Sequence, residues 1–406
     1  MKASSIVAFP FLHDHHSHVS LYASFEGLPE LGGLDQAAAM RLLGSLPRDR
    51  LSLVKGWRTD RLSLGPADLA ELPPLIVVNA SLHGFAISPS ALPLVSELWP
   101  EIAEHADDPA WGESNLPRLF VFYGKVAGLD ARKLKSFMKK MEALGLGSLE
   151  DMTLAGEDAL AIFSDSPFTD RIVSWATPEV YGSLLPASRE KCEGIKVFLD
   201  GSLGACSAAL DAPFPGGSVG SLLYSDSELS CLLAGLASFR TKLSAHALGH
   251  RAIAQALACL DTLAREGIDF PSVRLEHVQF ITYDQARRCK EAGIVLSVQP
   301  NFNSDSRDYA DRLVSRHCAE NDRFRMLIDE AGFVPGVDLL FGSDGMPHGP
   351  EYALRWSLFP DYEEQRLSIK EFEAGYGPAL GIEGEGSAFA IDDQARTINR
   401  IVRSLD

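Results

Sequence analysis

Between Phe11 and Ser20 the chain reads Phe-Leu-His-Asp-His-His-Ser-His-Val-Ser, which places four imidazoles and a carboxylate within six positions. The apolar run Ile6 to Phe11 just before it reads as a short buried strand. Side chains at i and i+2 on a strand point to one face, so His16 and His18 can converge on one ion from the strand's end. His13 and His15 form a second pair with the same spacing, and spacing alone leaves the register open. Neutral imidazole nitrogens are common ligands for zinc and related divalent ions. Standing alone, such a cluster would read as a solvated polar loop. It has company further along: His246 in Ser-Ala-His-Ala-Leu-Gly-His, His277 in Arg-Leu-Glu-His-Val-Gln and Asp344 in Phe-Gly-Ser-Asp-Gly. Lys196 lies inside the apolar stretch Gly-Ile-Lys-Val-Phe-Leu-Asp-Gly, where a lysine is costly unless it is paired, neutral or modified.

What would position these residues is a rhythm that begins near Gly147, with short strands alternating with helical stretches. Strands are expected at Ser148 to Leu154, Arg171 to Ala176, Gly194 to Asp200, Lys242 to His246, Val273 to Gln279, Ile294 to Gln299 and Leu339 to Asp344. With the opening strand they make eight. Helical stretches at Ser227 to Phe239, Gly249 to Glu266, Thr282 to Ala292 and Arg323 to Ala331 separate them, the pattern of successive βαβ units. An α/β fold of the (β/α)8 TIM-barrel type follows, with its functional face at the carboxyl ends of the strands. That face gathers His16, His18, His246, His277 and Asp344 from four separate strands. Before Gly147 the pattern is mixed: helices at Leu34 to Leu46, Leu92 to His105 and Leu129 to Leu144, and a strand at Pro73 to Ala80. His83 follows that strand, as a substrate-facing donor or, more in keeping with its residue type, a hydrogen-bonded loop histidine.

Composition narrows the function classes. The 406 residues are 46% hydrophobic and 23% charged, enough for a large core. A net charge of -18 leaves no basic surface for a phosphate backbone and makes nucleic acid a poor candidate partner. Six cysteines without a Cys-X-X-Cys pair read as reduced thiols, which favours the cytoplasm. The amino terminus lacks the features of a signal core and no apolar run reaches membrane-spanning length, so a soluble, unexported protein without membrane association is expected. A small-molecule substrate is the expected partner, and a homo-oligomer is compatible with the sequence.

As a set, these blocks resemble the amidohydrolase superfamily, specifically the amidohydrolase family 3 branch that includes N-substituted formamide deformylase-like proteins. Asp14, His16 and His18 match its Asp-X-His-X-His, which selects the second histidine pair and leaves His13 and His15 as bystanders. Ile195 to Gly204 match Val-Lys-X-X-X-Asp-Gly-Ser-Leu-Gly with isoleucine for valine. His-Ala-X-Gly falls at His246, Arg-X-Glu-His-X-Gln at His277, Ser-Val-Gln-Pro at Ser297 to Pro300 and Gly-Ser-Asp at Asp344. Lys-Gly-Trp at Lys55 to Trp57 and His-Gly at His83 resemble the family's long insertion between strands one and two. The resemblance implies a metal-dependent hydrolase of carbon-nitrogen bonds in non-peptide amides, formamides or cyclic amides, using one or two divalent ions, zinc foremost. His16 and His18 would hold the first with Asp344, His246 and His277 the second, and a carbon dioxide-derived carbamate on Lys196 would bridge them. The ions would activate a water at neutral pH, and Asp344 would be the catalytic proton carrier. His83, Trp57 and Gln299 would contact substrate, with the insertion around Trp57, His83 and Phe85 as a lid.

The chain also departs from the family. His250 stands where the family commonly has aspartate, in His-Ala-Ile-Gly-Asp, and His348 lies just beyond Asp344. Relatives usually open with strands of a small β-sandwich, for which there is no room before the first ligand here, so no complete β-sandwich domain is expected. The last stretch, Ala395 to Leu405, reads as an amphipathic helix. The whole of 1–406 is read as one barrel domain, with an insertion at about 20–146 and a tail at about 370–406. Ester or phosphoester hydrolysis on the same metal site is the alternative activity, and a non-catalytic metal-binding barrel the alternative from another class.

Overall fold

The computed structural model describes residues 5–401 apart from 59, 60, 80, 81, 83, 106 and 107. In chain order the first strands are β1 (Ser5–Pro10), β2 (Leu12–Ser17), β3 (Ser52–Trp57), β4 (Leu75–Asn79) and β5 (Phe85–Ile87). There follow β6 (Leu146–Asp151), β7 (Ile172–Ala176), β8 (Gly194–Phe198), β9 (Lys242–Ala247), β10 (Val273–His277), β11 (Val295–Val298), β12 (Leu339–Phe341), β13 (Glu385–Asp392) and β14 (Thr397–Arg400). They divide between two compact units, Ser20–Phe137 and the remainder.

In the larger unit β2 and β6 through β12 form one parallel sheet of eight strands in that order. With helices between the strands this is the expected (β/α)8 barrel. Its two edge strands meet beyond their paired residues: Asp344 N donates to His16 O at 2.7 Å, and Ser343 N donates to the Asp14 carboxylate at 2.9 Å. Gly342 makes this approach possible, since a Cβ on it would sit 2.4 Å from His16 N. The outer helices begin at strong local signals. Ser225 and Glu228 cap Asp226–Ala237 reciprocally, and Thr282 and Gln285 do the same for Tyr283–Glu291. The helix expected over Arg323 to Ala331 is present from Phe324 to Glu330, with Leu327 N bonded to Arg323 O, and widens over Met326–Glu330 into a turn closed by Ala331 N to Met326 O.

Two terminal expectations are corrected. The run Ile6 to Phe11 is not the barrel strand that leads to the histidines. Ser5–Pro10 pairs antiparallel with β13, Ile6 is exposed, and the histidines themselves form the barrel strand β2. The stretch from Ala395 is not helical over the described residues, because β13 and β14 form a hairpin that completes a three-stranded antiparallel sheet with β1. Apolar spacing in Ala395 to Leu405 suits a helix, but the turn ahead of it decides otherwise. The Asp392 carboxylate accepts from Gln394 N and Ala395 N at 3.0 Å each, and Arg396 takes a left-handed φ of 53°.

The smaller unit, Ser20–Phe137, is built on β3, β4 and β5, with β3 and β4 parallel and β5 antiparallel. Strand alternation sorts its core into two layers. Leu53, Ile76 and Val78 face a cluster with Leu119, Phe122 and Tyr123 of the helix Leu116–Ala127. Val54, Leu75 and Val77 face the opposite cluster, with Ala39 and Leu43 of the helix Gln36–Gly44. The helix expected over Leu92 to His105 is two, broken at Trp99-Pro100, where proline removes the donor that would continue the first. Among the described residues no helix is long and apolar enough to cross a membrane.

Candidate metal centre

The barrel interior is polar at its heart, and this fixes the site from below. Arg274 and Glu276 alternate along β10 and both turn inward. Arg274 Nε lies 2.5 Å from Glu276 Oε1, and Arg274 Nη1 is 2.9 Å from Glu150 Oε2 on β6. Glu150 also accepts from Trp175 Nε1 at 2.6 Å and from His15 Nδ1 at 2.9 Å, while His13 Nδ1 lies 2.6 Å from Ser148 Oγ. His13 and His15 are therefore members of a buried ion network rather than bystanders. A register shift between Asp14 and Ser17 breaks the simple alternation of β2, which is why neighbouring His15 and His16 both reach inward partners.

Above this network each site histidine is held by one ring nitrogen. His16 Nδ1 donates to Glu276 Oε2 at 2.7 Å, and Glu276 accepts in addition from Ser244 Oγ at 2.6 Å. His18 Nδ1 lies 2.8 Å from Thr153 Oγ1, and His277 Nδ1 donates to Gln299 Oε1 at 2.7 Å. The opposite nitrogens turn toward Asp344, with His18 Nε2 3.0 Å and His16 Nε2 3.8 Å from its Oδ1. The rings of His16 and His277 are 4.7 Å apart, and those of His277 and His246 4.5 Å. One ligand atom each from His16, His277 and Asp344 falls within 4.8 Å of the others. Both His277 (φ 69°) and Asp344 (φ 55°) adopt left-handed backbone, a strained conformation that turns these strand-end side chains into the site.

The electrostatics match neutral nitrogen ligands around an ionised carboxylate. Burial pushes the His16 and His277 imidazoles below their ordinary range, His277 far below it. Burial alone would raise Asp344, but His16, His18 and His277 outweigh it and hold the carboxyl below its ordinary value. Burial would likewise raise Glu276, and Arg274, Lys196 and His16 hold it well below. Lys196 is fully buried, and its Nζ makes no hydrogen bond among the described residues. Burial pushes its ammonium down to about 8, against the attraction of Glu276.

These residues fit a divalent metal. Imidazoles whose far nitrogens are already fixed by carboxylate, hydroxyl and amide partners are oriented as ligands, and an orphaned buried amine beside them calls for an anionic modification or a neutralising neighbour. Asp14 plays a different part. Fully buried and pushed up to about 6 by that burial, its carboxyl accepts from His16 N, Ser343 N and Ser343 Oγ, and so ties the end of β2 to the end of β12.

The other expected site residues are placed as follows. His246 donates from Nε2 to Gly201 O at 3.1 Å, and the same nitrogen lies 3.3 Å from Asp200 Oδ1. Asp200, missed in the sequence, is buried and accepts from Ala209 N, Leu248 N and Gly249 N at 2.9 Å each. Gln299 grips His277 through Oε1, and its Nε2 has no hydrogen-bond partner among the described residues. Trp57 belongs to the smaller unit, where Nε1 donates to Leu62 O at 2.9 Å. His83 lies outside the described residues. His348 is near the centre, its Nε2 2.9 Å from Ser17 Oγ. His250 does not join it.

Comparison with known proteins decides the lineage. The model of the amidohydrolase family matches residues 125–350, more than half of the chain. The protein belongs to the amidohydrolase family. This amidohydrolase is thus a metal-dependent hydrolase. It is similar in fold to an uncharacterized metal-dependent hydrolase from Pyrococcus horikoshii OT3, at 21% identity over 92% of this chain and 80% of that one, with a TM-score of 0.66. An uncharacterized metal-dependent hydrolase from Pyrococcus furiosus gives 20% identity over 91% and 81%, also with a TM-score of 0.66. No curated protein matches the amidohydrolase significantly.

Proposed function

We propose that this amidohydrolase cleaves the carbon-nitrogen bond of a non-peptide amide, formamide or cyclic amide. Its ions, zinc foremost, would be held by His16, His18, His246, His277, Asp344 and a carboxylated Lys196. The observation that carries this reading is the Lys196 amine, buried and without a hydrogen-bond partner among the described residues, next to neutral imidazoles and an ionised Asp344. Its depressed basicity leaves an appreciable neutral fraction near pH 8. The Nζ lone pair attacks the carbon of carbon dioxide, one N–H proton leaves to solvent, and a carbamate anion replaces a costly buried cation.

Bound divalent ions would lower the pKa of a water and polarise the scissile carbonyl. The protein's own part is positional. Glu276, Thr153 and Gln299 hold the imidazole planes, so that the ligand nitrogens do not reorganise during turnover. Asp344 is 18% exposed, unlike the fully covered Glu276, and so can meet both a water and a substrate. Its carboxylate accepts the attacking water's proton and delivers it to the departing nitrogen, whose basicity must be met by a proton for the bond to break. A small-molecule substrate fits such a recessed centre. The six cysteines are all unpaired, which supports a cytoplasmic setting.

The test is a panel of N-formyl, N-acyl and cyclic amides set beside carboxylic and phosphate esters, assayed with zinc-loaded protein and bicarbonate. Amide turnover that exceeds ester turnover in kcat/KM and is lost in Asp344→Asn is expected. Turnover confined to phosphoesters would replace the amide reading with the ester one.

A further inference from the structure

A second group of metal-ligand side chains lies apart from the residues described above. Asp211, in the segment between β8 and the helix Asp226–Ala237, faces His250 at the start of the helix His250–Arg265 and His317 in the helix Ser315–Glu320. The backbone makes this meeting tight. Arg251 N donates to Ala209 O at 2.9 Å, and a Cβ on Gly249 would fall 2.3 Å from that same oxygen, so only glycine lets Asp211 come this close to His250. Phe280 packs against both imidazoles, with ring centroids at 5.6 Å from each.

The donor atoms have ligand geometry. Asp211 Oδ1 lies 2.9 Å from His317 Nε2 and 3.6 Å from His250 Nδ1. Donors about 2 Å from a tetrahedral ion stand roughly 3.3 Å apart, and these separations bracket that value. His317 is fully buried and His250 is 6% exposed, yet among the described residues His250 Nδ1 makes no hydrogen bond. On the other side of its ring, His250 Nε2 is 3.6 Å from Glu320 Oε2, itself without a hydrogen-bond partner among the described residues. A carboxylate on the far nitrogen is the usual device for fixing a metal-binding imidazole. Arg316 is already a cation at this place: its Nη2 lies 2.6 Å from Asp211 Oδ1 and 3.1 Å from His317 Nε2. Its side chain is half exposed and can leave without disturbing the core.

We propose that Asp211, His250 and His317 form an additional divalent transition-metal site, oriented by Glu320, in which the ion displaces the Arg316 guanidinium. Two imidazoles and one carboxylate with an open fourth position suit zinc, cobalt, iron or manganese. The site would pin the segment after β8 to the segments after β9 and β11 at the rim of the barrel.

The experiment uses the full chain, stripped of metal, reloaded with Zn2+ or Co2+ and dialysed. Elemental analysis gives equivalents per chain, and the visible d–d absorption of Co2+ reports its ligands. The double variant His250→Gln, His317→Gln is expected to lose one equivalent and its share of the Co2+ spectrum, while the equivalents bound at the barrel mouth remain. Arg316→Ala is expected to bind that equivalent more tightly, an effect that damage to folding would not produce. Should the double variant fail to fold, Asp211→Asn on the exposed rim is expected to bind it roughly tenfold to a hundredfold more weakly. Equal stoichiometry and spectra in the wild type and either loss variant, with no tightening in Arg316→Ala, would leave only a hydrogen-bonded charge network and overturn the proposal.

Discussion

Replacing Glu276 with glutamine keeps the shape of a fully buried side chain and removes its charge. The carboxylate accepts from His16 Nδ1 at 2.7 Å, Ser244 Oγ at 2.6 Å and Arg274 Nε at 2.5 Å. A glutamine offers one acceptor oxygen, and its amide must point donors at one of these donors, leaving a buried group unsatisfied. Arg274 keeps only Glu150 as a counter-ion, and Lys196 loses its strongest neighbouring anion. Breaking one partner out of a buried ion network costs about 3–5 kcal/mol. Releasing the His16 ring should also weaken metal binding by roughly tenfold to a hundredfold. The sign with pH is fixed as well. Glu276 is held well below its ordinary value of 4.5, so its stabilisation is complete above that pH and is lost as the pH falls through the folded-state value. The gap between wild type and variant should therefore be full at pH 7 and shrink in acid. Denaturant unfolding of metal-free protein gives the first quantity and competition with a chelator the second. A loss below about 1 kcal/mol with unchanged metal affinity would refute the idea that the network, rather than packing alone, sets the site.

Three further outcomes follow from the same geometry. Lys196 drops from 10.5 to about 8 on burial, so the unfolded chain binds the extra proton between those values and stability of the metal-free protein should rise by about 3 kcal/mol across that window; Lys196→Met should show no such rise in denaturation at several pH values. Gly342→Ala would put a methyl 2.4 Å from His16 N, and thermal unfolding should show a loss of about 1–3 kcal/mol together with lower metal content. Ser343→Ala removes the 2.5 Å bond from Oγ to the Asp14 carboxylate and should lower kcat with protein stability reduced by about 1–3 kcal/mol, read from steady-state kinetics and calorimetry.

The barrel was legible because its strands announce themselves twice, as apolar runs and as the places where histidine, lysine and aspartate interrupt them. Expected and observed strand boundaries from β6 to β12 differ by only a few residues. The reading failed where a turn or a distant partner decides. Ile6 to Phe11 is as apolar as a barrel strand, but its partner is β13, nearly the whole chain away. Ala395 to Leu405 has helical spacing, but the Asp392 turn folds the chain back into β14. His13 and His15 could not be placed by spacing, because their partners Ser148 and Glu150 lie on the neighbouring strand. The signal for them was present in the alternation of Ser148 with Glu150 and of Arg274 with Glu276, polar residues two apart on strands that ought to be apolar inside. Gln299, expected to contact substrate, accepts from His277 Nδ1, a relation that spacing does not show because the two residues stand at the ends of the neighbouring strands β10 and β11.

The central claim is that His16, His18, His246, His277, Asp344 and a carboxylated Lys196 hold the ions of this hydrolase. Metal content per chain after reloading with zinc in 13C-labelled bicarbonate, read alongside the carbamate carbon by NMR, tests it most directly. Two equivalents at the barrel mouth and a carbamate resonance, both lost in Lys196→Met, are expected. A wild type that binds no metal at the barrel mouth, or binds it fully with no carbamate and unchanged in Lys196→Met, would contradict the claim.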